Sequence, residues 1–166
     1  MKTSWQTSSR WYSQLSGDSG HYFHQHLIIP GVLKLLQLNA SSKLLDLGCG
    51  NGVLARSLPS EVSYTGIDIT PGLIKDARLR DKNPRHQFIV ADVTKPVNLA
   101  HDFTHAVFIL SLQNISHPAA AVKLAAQALI KESKLVIVLN HPCFRIPRQS
   151  SWGIDEANHL EYRRIN

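Results

Sequence analysis

The sequence predicts an α/β protein with a doubly wound, mostly parallel sheet and helices on both faces. Short apolar strands alternate with helical segments along the chain, and this pattern favours parallel pairing through crossover helices. The fourth and fifth predicted strands, 105–110 and 134–139, are apolar on both faces, as central parallel strands are. A glycine-rich loop follows the first strand at once.

The N-terminal part of the chain predicts a polar lead-in followed by one helix. The first twenty or so residues are rich in serine and threonine and lack the apolar segment of a signal peptide. From about 22 to 38 the aliphatic residues fall at helical spacing. Pro30 and Gly31 should kink or divide that helix, and a turn at 39–42 precedes the first strand.

Strand and helix signals then alternate to residue 140. Strands are predicted at 43–47, 62–69, 87–91, 105–110 and 134–139. A helix is predicted at 52–58, ending near Pro59, and another at 71–79, with Thr70 as N-cap and Pro71 at the first helical position. A long alanine-rich helix should run from about 116–118 to 130. After Asn140 we predict a loop without a hairpin, with a short helix around 155–162.

Composition narrows the class of protein. The chain has 166 residues, 43% hydrophobic and 18% charged, which suits one folded domain rather than a disordered segment. Cys49 and Cys143 are its two cysteines, so a disulfide scaffold or cysteine-built zinc site is excluded, and no metal is expected. This cysteine usage, with no apolar run near bilayer length, predicts a cytoplasmic protein without a membrane partner.

The segment 44–52, Leu-Leu-Asp-Leu-Gly-Cys-Gly-Asn-Gly, is the most informative part of the sequence. Alternate glycines directly after a strand allow a tight turn and close backbone approach to a ligand. In open α/β sheets, ligands bind in a crevice at the carboxyl ends of the strands. A dinucleotide fingerprint would need glycine where Val53 stands, and no Gly-Lys-Ser/Thr follows to make a phosphate-binding P-loop.

Three acidic residues lie near the ends of successive predicted strands. Asp46 lies at the end of the first strand, Asp68 at the end of the second and Asp92 just after the third. A carboxylate at Asp68 can accept hydrogen bonds from both hydroxyls of a ribose, and one at Asp92 can accept a hydrogen bond from the amino group of an adenine. Each acid alone could instead cap a helix or a turn, but three at one sheet edge favour a ligand crevice.

This ordered set of glycine loop and acids resembles the class I S-adenosylmethionine-dependent methyltransferases over roughly 44–140. The resemblance implies a Rossmann-like methyltransferase fold in one domain, 1–166, with an N-terminal helical lid at 1–40, a cofactor-binding core at 41–140 and a substrate-side loop or helix at 141–166. It implies S-adenosyl-L-methionine as cofactor, S-adenosyl-L-homocysteine as product, and methyl transfer to a small-molecule acceptor by in-line displacement.

By the same resemblance, Gly48, Cys49 and Gly50 would lie against the methionine part of the cofactor. Asp68 would hold the ribose hydroxyls, Asp92 the adenine amino group, and the neighbours of these two acids would enclose the ring. The full set of predicted cofactor contacts is Asp46, Gly48, Cys49, Gly50, Asp68, Ile69, Asp92, Val93, Leu110 and Tyr22.

The acceptor side carries a weaker signal. The Asn/Asp-Pro-Pro-aromatic motif of amino-group methyltransferases is missing after the fourth strand, which argues against DNA adenine and protein glutamine as acceptors. His141 is the candidate general base because it follows the fifth strand and titrates near neutrality, although it could equally cap a loop carbonyl. Arg145 and Arg148 fit either an anionic acceptor or a solvated loop.

Three alternatives stay open at this point. The net charge of +6 is compatible with an RNA methyltransferase, although the basic residues are dispersed as on a solvated helix face. A non-catalytic cofactor-binding module is a second alternative, and an NAD-dependent oxidoreductase is disfavoured by Val53. The family's sheet has seven strands and five are predicted, so either the protein continues beyond Asn166 or a partner covers the fifth strand. The oligomeric state is not predicted.

Overall fold

A computed structural model describes residues 20–140, 150–155 and 160–165. Five strands form one sheet in the order β3-β2-β1-β4-β5, and all four pairings are parallel. This arrangement confirms the predicted doubly wound α/β fold. The strands are β1 Lys43–Leu47, β2 Ser63–Asp68, β3 His86–Val90, β4 Phe103–Ile109 and β5 Leu129–Val138.

Helices cover both faces of the sheet. The α-helices are α1 Ile29–Leu36, α2 Pro71–Arg80 and α3 Pro118–Ala128. One apolar core joins α1 and α2 to β1, β2 and β4, with Leu36, Ile74 and Tyr64 among its buried members. A second core joins the alanines of α3 to the other face of the same strands. The sheet is therefore buried between two layers, which explains its apolar central strands.

The first helix changes its winding just before Pro30. A π-helical turn at His24–Ile28 continues directly into α1, and the Ile29 N–H donates to the carbonyl of His24, five residues back. Proline has no N–H and its ring clashes with a carbonyl one α-turn back, so the wider turn accommodates it. The predicted disturbance thus takes the form of a change of helix type.

Two predicted elements differ from the structure inside the core. Residues 52–58 do not form an α-helix. A short 3-10 helix at Ala55–Ser57 follows turns instead, because Pro59 leaves no room for further helical turns. β5 begins at Leu129 rather than at 134, and its register with β4 shifts between Phe103 and His105. A positive φ of 61° at Glu132 marks the irregularity.

The C-terminal prediction was wrong. Residues 150–155 and 160–165 are strands β6 (Ser150–Asp155) and β7 (Leu160–Ile165), which pair antiparallel in a separate two-stranded sheet. The predicted helix around 155–162 is therefore not present in its described part. Alternating apolar and polar residues in 160–163, Leu-Glu-Tyr-Arg, have the period of a strand rather than of a helix.

In the described part of the chain, β5 lies at the edge of the five-stranded sheet. Leu135 and Ile137, on alternate positions near its end, and Leu139 just after it are exposed. Among the described helices, none is both long enough and apolar enough to cross a bilayer.

Candidate functional site

The glycine loop turns sharply at the carboxyl end of β1. Gly48, Gly50 and Gly52 have φ values of 83°, 56° and 73°, a region that favours glycine. The N–H groups of Gly48 and Cys49 both donate to the carbonyl of Ile67, at 2.7 and 3.0 Å. These bonds hold the loop against the end of β2.

Gly48 has no room for a side chain. A Cβ at this position would lie 2.4 Å from the Cβ of Ser111, and the Ser111 hydroxyl donates to the carbonyl of Leu47 at 2.6 Å. The loop after β4 is therefore fastened to the glycine loop. Leu110 beside it has a φ of 51°, a strained conformation for a branched side chain, of a kind that concentrates at functional sites.

Asp68 fastens the other side of the loop. Its Oδ2 accepts the N–H of Gly50 at 3.0 Å, and its Oδ1 accepts the N–H of Thr70 at 2.8 Å. Burial raises the pKa of Asp68, and these backbone hydrogen bonds oppose the rise. Each carboxylate oxygen keeps a second lone pair, so the group can still accept hydroxyl protons from a ligand.

Asp46 is a buried carboxyl group with one satisfied oxygen. The residue is 2% exposed, and its Oδ2 accepts a 2.8 Å hydrogen bond from the Tyr64 hydroxyl. Oδ1 is buried and has no partner among the described residues. Burial is the main reason that the pKa of Asp46 rises to about 7; the negative charge of Asp68 adds to the rise and the Tyr64 hydroxyl opposes it.

A crevice opens in front of this carboxyl group. Two further side chains that line it hold buried polar atoms without a partner in the described part of the chain, namely both amide atoms of Asn51 and Nδ1 of His24. His24 is 6% exposed, and burial together with the nearby His21 lowers its pKa to about 4. The full lining is His24, Ile29, Asp46, Gly48, Cys49, Gly50, Asn51, Val53, Leu54 and Ile109.

These orphaned groups fit the amino-acid end of the cofactor that the sequence implies. Buried polar atoms in native proteins are nearly always hydrogen-bonded, so a cluster of unpaired ones marks a place where a ligand supplies the partners. The free oxygen of Asp46 suits an ammonium group. The amide of Asn51 offers both a donor and an acceptor to a carboxylate or a water.

Of the predicted cofactor contacts, Asp46, Gly48, Cys49 and Gly50 line the crevice, and Asp68 contacts the loop that forms it. Leu110, as described above, follows β4 beside that loop, and Ile69 comes directly after β2. These residues are therefore brought to one edge of the sheet, as the sequence predicts.

Three predicted contacts stand in other surroundings. Tyr22 is 70% exposed and is not part of the crevice lining. Val93 is 7% exposed and packs in the core on the α3 side of the sheet. The Asp92 Oδ1 accepts the N–H and the hydroxyl of Thr94, at 2.9 and 2.7 Å, and the Thr94 hydroxyl is the main reason that the pKa of Asp92 is lowered. Asp92 is thus an ionised turn residue just past β3.

The candidate base and the two loop arginines, His141, Arg145 and Arg148, lie outside the described residues. Conversely, sequence reasoning missed Asn51 and Tyr64 and did not assign a contact to His24. Asn51 stands inside the glycine motif and could have been included. His24 reaches the crevice, and Tyr64 reaches Asp46, through tertiary packing, which no local sequence pattern reveals.

A parallel α/β sheet with a glycine loop and acidic groups at its carboxyl edge is typical of Rossmann-like folds, the class to which class I methyltransferases belong. Residues 45–137, more than half of the chain, match the family model described as a methyltransferase domain. The chain is a member of that family.

Curated relatives match over short stretches. An uncharacterized methyltransferase of Schizosaccharomyces pombe is 48% identical over 48 residues, 28% of this chain and 18% of that protein. The ubiquinone/menaquinone biosynthesis C-methyltransferase UbiE of Citrifermentans bemidjiense is 38% identical over 58 residues, 32% of this chain and 25% of that protein. The matches therefore cover at most a quarter of either relative.

Solved structures share the fold. An S-adenosylmethionine-dependent methyltransferase from Mesorhizobium loti superposes with a TM-score of 0.70 at 24% identity, over 82% of this chain and 63% of that one. A second such enzyme, from Geobacter sulfurreducens in complex with S-adenosyl-L-homocysteine, gives 0.57 at 23% identity, over 66% of this chain and 46% of that one. At these identities the likeness establishes the fold alone.

Proposed function

We propose that this chain binds S-adenosyl-L-methionine in the crevice at the carboxyl end of β1 and transfers its methyl group to a small-molecule acceptor. The product would be S-adenosyl-L-homocysteine. The family supports the reaction class, and the name of the UbiE relative supports a small organic acceptor.

The observation that carries the proposal is the buried Asp46 carboxyl group with one unpartnered oxygen beside the glycine loop. An isolated buried carboxylate is costly unless a cation or hydrogen-bond donors approach it. The ammonium group of the cofactor's amino-acid end supplies both. Asp68, which accepts the N–H of Gly50 at the end of β2, would hold the ribose hydroxyls.

When bound, the cofactor supplies a methyl group on a positively charged sulfur, which is already a good leaving group for in-line displacement. The protein therefore has to bind, orient and exclude water rather than provide a strong acid. Alignment of this kind contributes up to about 7–11 kcal/mol in favourable cases. Asp46, Asn51 and the glycine loop would fix the amino-acid end, and Asp68 the sugar.

A general base is needed only where the acceptor must lose a proton. His141, two residues after Leu139 in sequence, stays our candidate for that role. His141→Gln should then lower kcat and remove a titration from the pH–rate profile while leaving cofactor affinity unchanged. An unchanged profile would exclude His141 as the base.

Isothermal titration calorimetry with S-adenosyl-L-methionine and S-adenosyl-L-homocysteine tests the proposal directly. We expect binding of both by the wild type, and binding weakened about 10–100-fold in Asp46→Asn, because one charge-assisted contact is lost. Thr65→Val, which removes a hydroxyl from the same sheet outside the crevice, is the matched control and should bind normally. Failure of the wild type to bind either compound would refute the cofactor assignment.

The net charge of +6 keeps RNA as a second candidate acceptor. RNA binding should weaken steeply with salt, because Lys and Arg release counterions from phosphates. A gel-shift series from low to physiological salt, followed by methylation assays with bulk RNA and with quinone-like or other small acceptors, separates the two. The cytoplasmic location stays a prediction, which cell fractionation tests.

A further inference from the structure

Tyr64, on β2, contacts the crevice residue Asp46 from inside the core. Its side chain is 2% exposed, and its hydroxyl makes the 2.8 Å hydrogen bond to the Oδ2 of Asp46. Its ring lies between partners that fix its direction, with centroid separations of 5.3 Å to His86 and 5.5 Å to Phe88. The hydroxyl is therefore held rigidly against the carboxyl group.

Gly66 leaves the space for this contact. A Cβ at position 66 would lie 2.8 Å from the Tyr64 hydroxyl oxygen and 2.8 Å from the Cys49 sulfur. Residues two apart on a strand face the same side, and Gly66 is the register partner of Asp46 on β1. The tyrosine thus extends over a residue without a side chain to reach the acid on the next strand.

The hydrogen bond distinguishes the two oxygens of Asp46. Oδ2 is committed to Tyr64, whereas the buried Oδ1 has no partner among the described residues. Since a carboxylate rotates about one bond, holding one oxygen fixes the direction of the other. The Asp46 carboxyl group is in this way pre-organised for a ligand before any ligand is present.

We propose that Tyr64 is a positioning residue of the cofactor site: its hydroxyl orients the Asp46 carboxylate and favours the anionic form that a cationic ligand group requires. The identity of that ligand rests on the function proposed above. The orientation and charge state of Asp46 do not, and they are measurable without ligand.

The other titratable groups around Asp46 do not favour its anion. Asp68, from the end of β2, repels it, and burial opposes any charge there. The Cys49 thiol of the loop has its pKa raised well above the usual range by burial and is neutral. His24, from the π-helical turn, is neutral near pH 7 because its pKa is about 4. Among the described titratable side chains around Asp46, Tyr64 is therefore the one that stabilises the charged form of Asp46.

The test is Tyr64→Phe, which keeps the ring and its packing and removes the hydroxyl. Calorimetry gives the dissociation constant of S-adenosyl-L-homocysteine for wild type and variant from pH 6 to 9. Their ratio cancels the titration of the ligand itself. We expect a ratio that approaches about tenfold at pH 6, corresponding to a rise of about one pKa unit at Asp46, passes through about fivefold at pH 7, and falls by pH 9 to the residual effect of lost orientation. Thr65→Val should give a ratio near one throughout.

A ratio that is large but equal at every pH would show a purely structural role, and a ratio near one at every pH would show no role; either overturns the proposal. The ¹³C carboxyl resonance of Asp46, assigned by its loss in Asp46→Asn, gives a readout without ligand. Its titration midpoint should move up in Tyr64→Phe. If the wild type binds no S-adenosyl-L-homocysteine, the cofactor assignment fails, and an unmoved midpoint would separately overturn the role of Tyr64.

Discussion

The two ends of the central sheet differ in how completely the buried carboxyl group at each end is hydrogen-bonded. At the amino end, Oδ2 of the buried Asp81 lies 2.7 Å from Nδ1 of His86, and its Oδ1 accepts the N–H of Asn83 at 2.9 Å. On the surface at the same end, Lys43 pairs with Asp102. At the carboxyl end, Asp46 is equally inaccessible but keeps one oxygen without a partner in the described residues.

Size does not single out the candidate site. The groove at the amino end is larger than the crevice at the glycine loop. What distinguishes the smaller crevice is the set of unsatisfied buried atoms that line it. A protein tolerates such atoms where a ligand completes them, so unsatisfied buried polar atoms distinguish the candidate site from the surface groove.

The largest expected effect is on the pH dependence of stability. The pKa of Asp46 is about 7 in the folded protein, against 3.8 for the same carboxyl group in the unfolded chain. Its stabilising contribution is therefore complete below pH 4 and is lost as pH rises through 7. The loss is about 4 kcal/mol at most. Urea unfolding of wild type and Asp46→Asn between pH 4 and 8 measures it.

Only the difference in unfolding free energy between wild type and Asp46→Asn isolates the contribution of Asp46. The lowered pKa of His24 makes stability rise, not fall, with pH between about pH 4 and 6.5. The wild type should lose stability relative to Asp46→Asn as pH rises. Parallel stability curves would mean that Asp46 titrates normally, and the contrast between the two acids would disappear.

Replacing each of these two acids, Asp81 and Asp46, by asparagine gives the next largest expected effect. Asp81→Asn removes a partner of buried groups, so we expect a loss of about 1–3 kcal/mol in the free energy of unfolding and unchanged cofactor affinity. Asp46→Asn should show the reverse, with affinity lost and stability at pH 8 retained or raised. Denaturation and calorimetry on both variants provide the test, and the same pattern in both would contradict the comparison.

Alanine substitutions at two glycines compare a sterically constrained position in the glycine loop with an unconstrained one in α1. Gly48→Ala forces a Cβ onto Ser111 at a φ of 83°, and we expect a loss of at least about 1–2 kcal/mol of stability together with weaker cofactor binding. Gly31→Ala is the control, since nothing lies within 4 Å of a Cβ there and a helix gains from alanine. Thermal unfolding measures both, and equal effects would show that the loop is not under steric constraint.

The smallest effect is expected at His24. Its buried Nδ1 can contribute one neutral hydrogen bond to a ligand, so His24→Ala should lower cofactor affinity about three- to tenfold, or about 1 kcal/mol. His26→Ala, two residues on and exposed, is the matched control and should leave affinity unchanged. Calorimetry distinguishes the two, and equal affinities for wild type and both variants would remove His24 from the site.

Local patterns predicted most of the sheet but not its irregular parts. β1 begins and ends where its apolar run does, and α2 begins at Pro71 as expected. The irregularity in β5 depends on its register with β4, which the periodicity of one short segment does not encode. The hairpin of β6 and β7 joins neighbouring stretches of chain, and the alternation at 160–163 is its signal in the sequence.

The site divides in the same manner. Asp46 and the glycines belong to one motif, so the sequence places them together. The hydroxyl on Asp46 comes from Tyr64, on another strand, and the imidazole in the crevice comes from a π-helical turn before β1. These contacts depend on how the elements pack and therefore appear in the coordinates alone.

The lack of a side chain at Gly66 also limits the order in which amino-acid substitutions can accumulate around this contact. The hydroxyl at position 64 can be lost in a single step, because phenylalanine occupies the same space. Any larger residue at position 66, however, collides with the Tyr64 ring and hydroxyl oxygen and with the Cys49 sulfur, each at 2.8 Å, until both side chains have shifted or become smaller. Substitutions at the three positions should therefore show strong epistasis, with the acceptable route running through both 64 and 49 before 66.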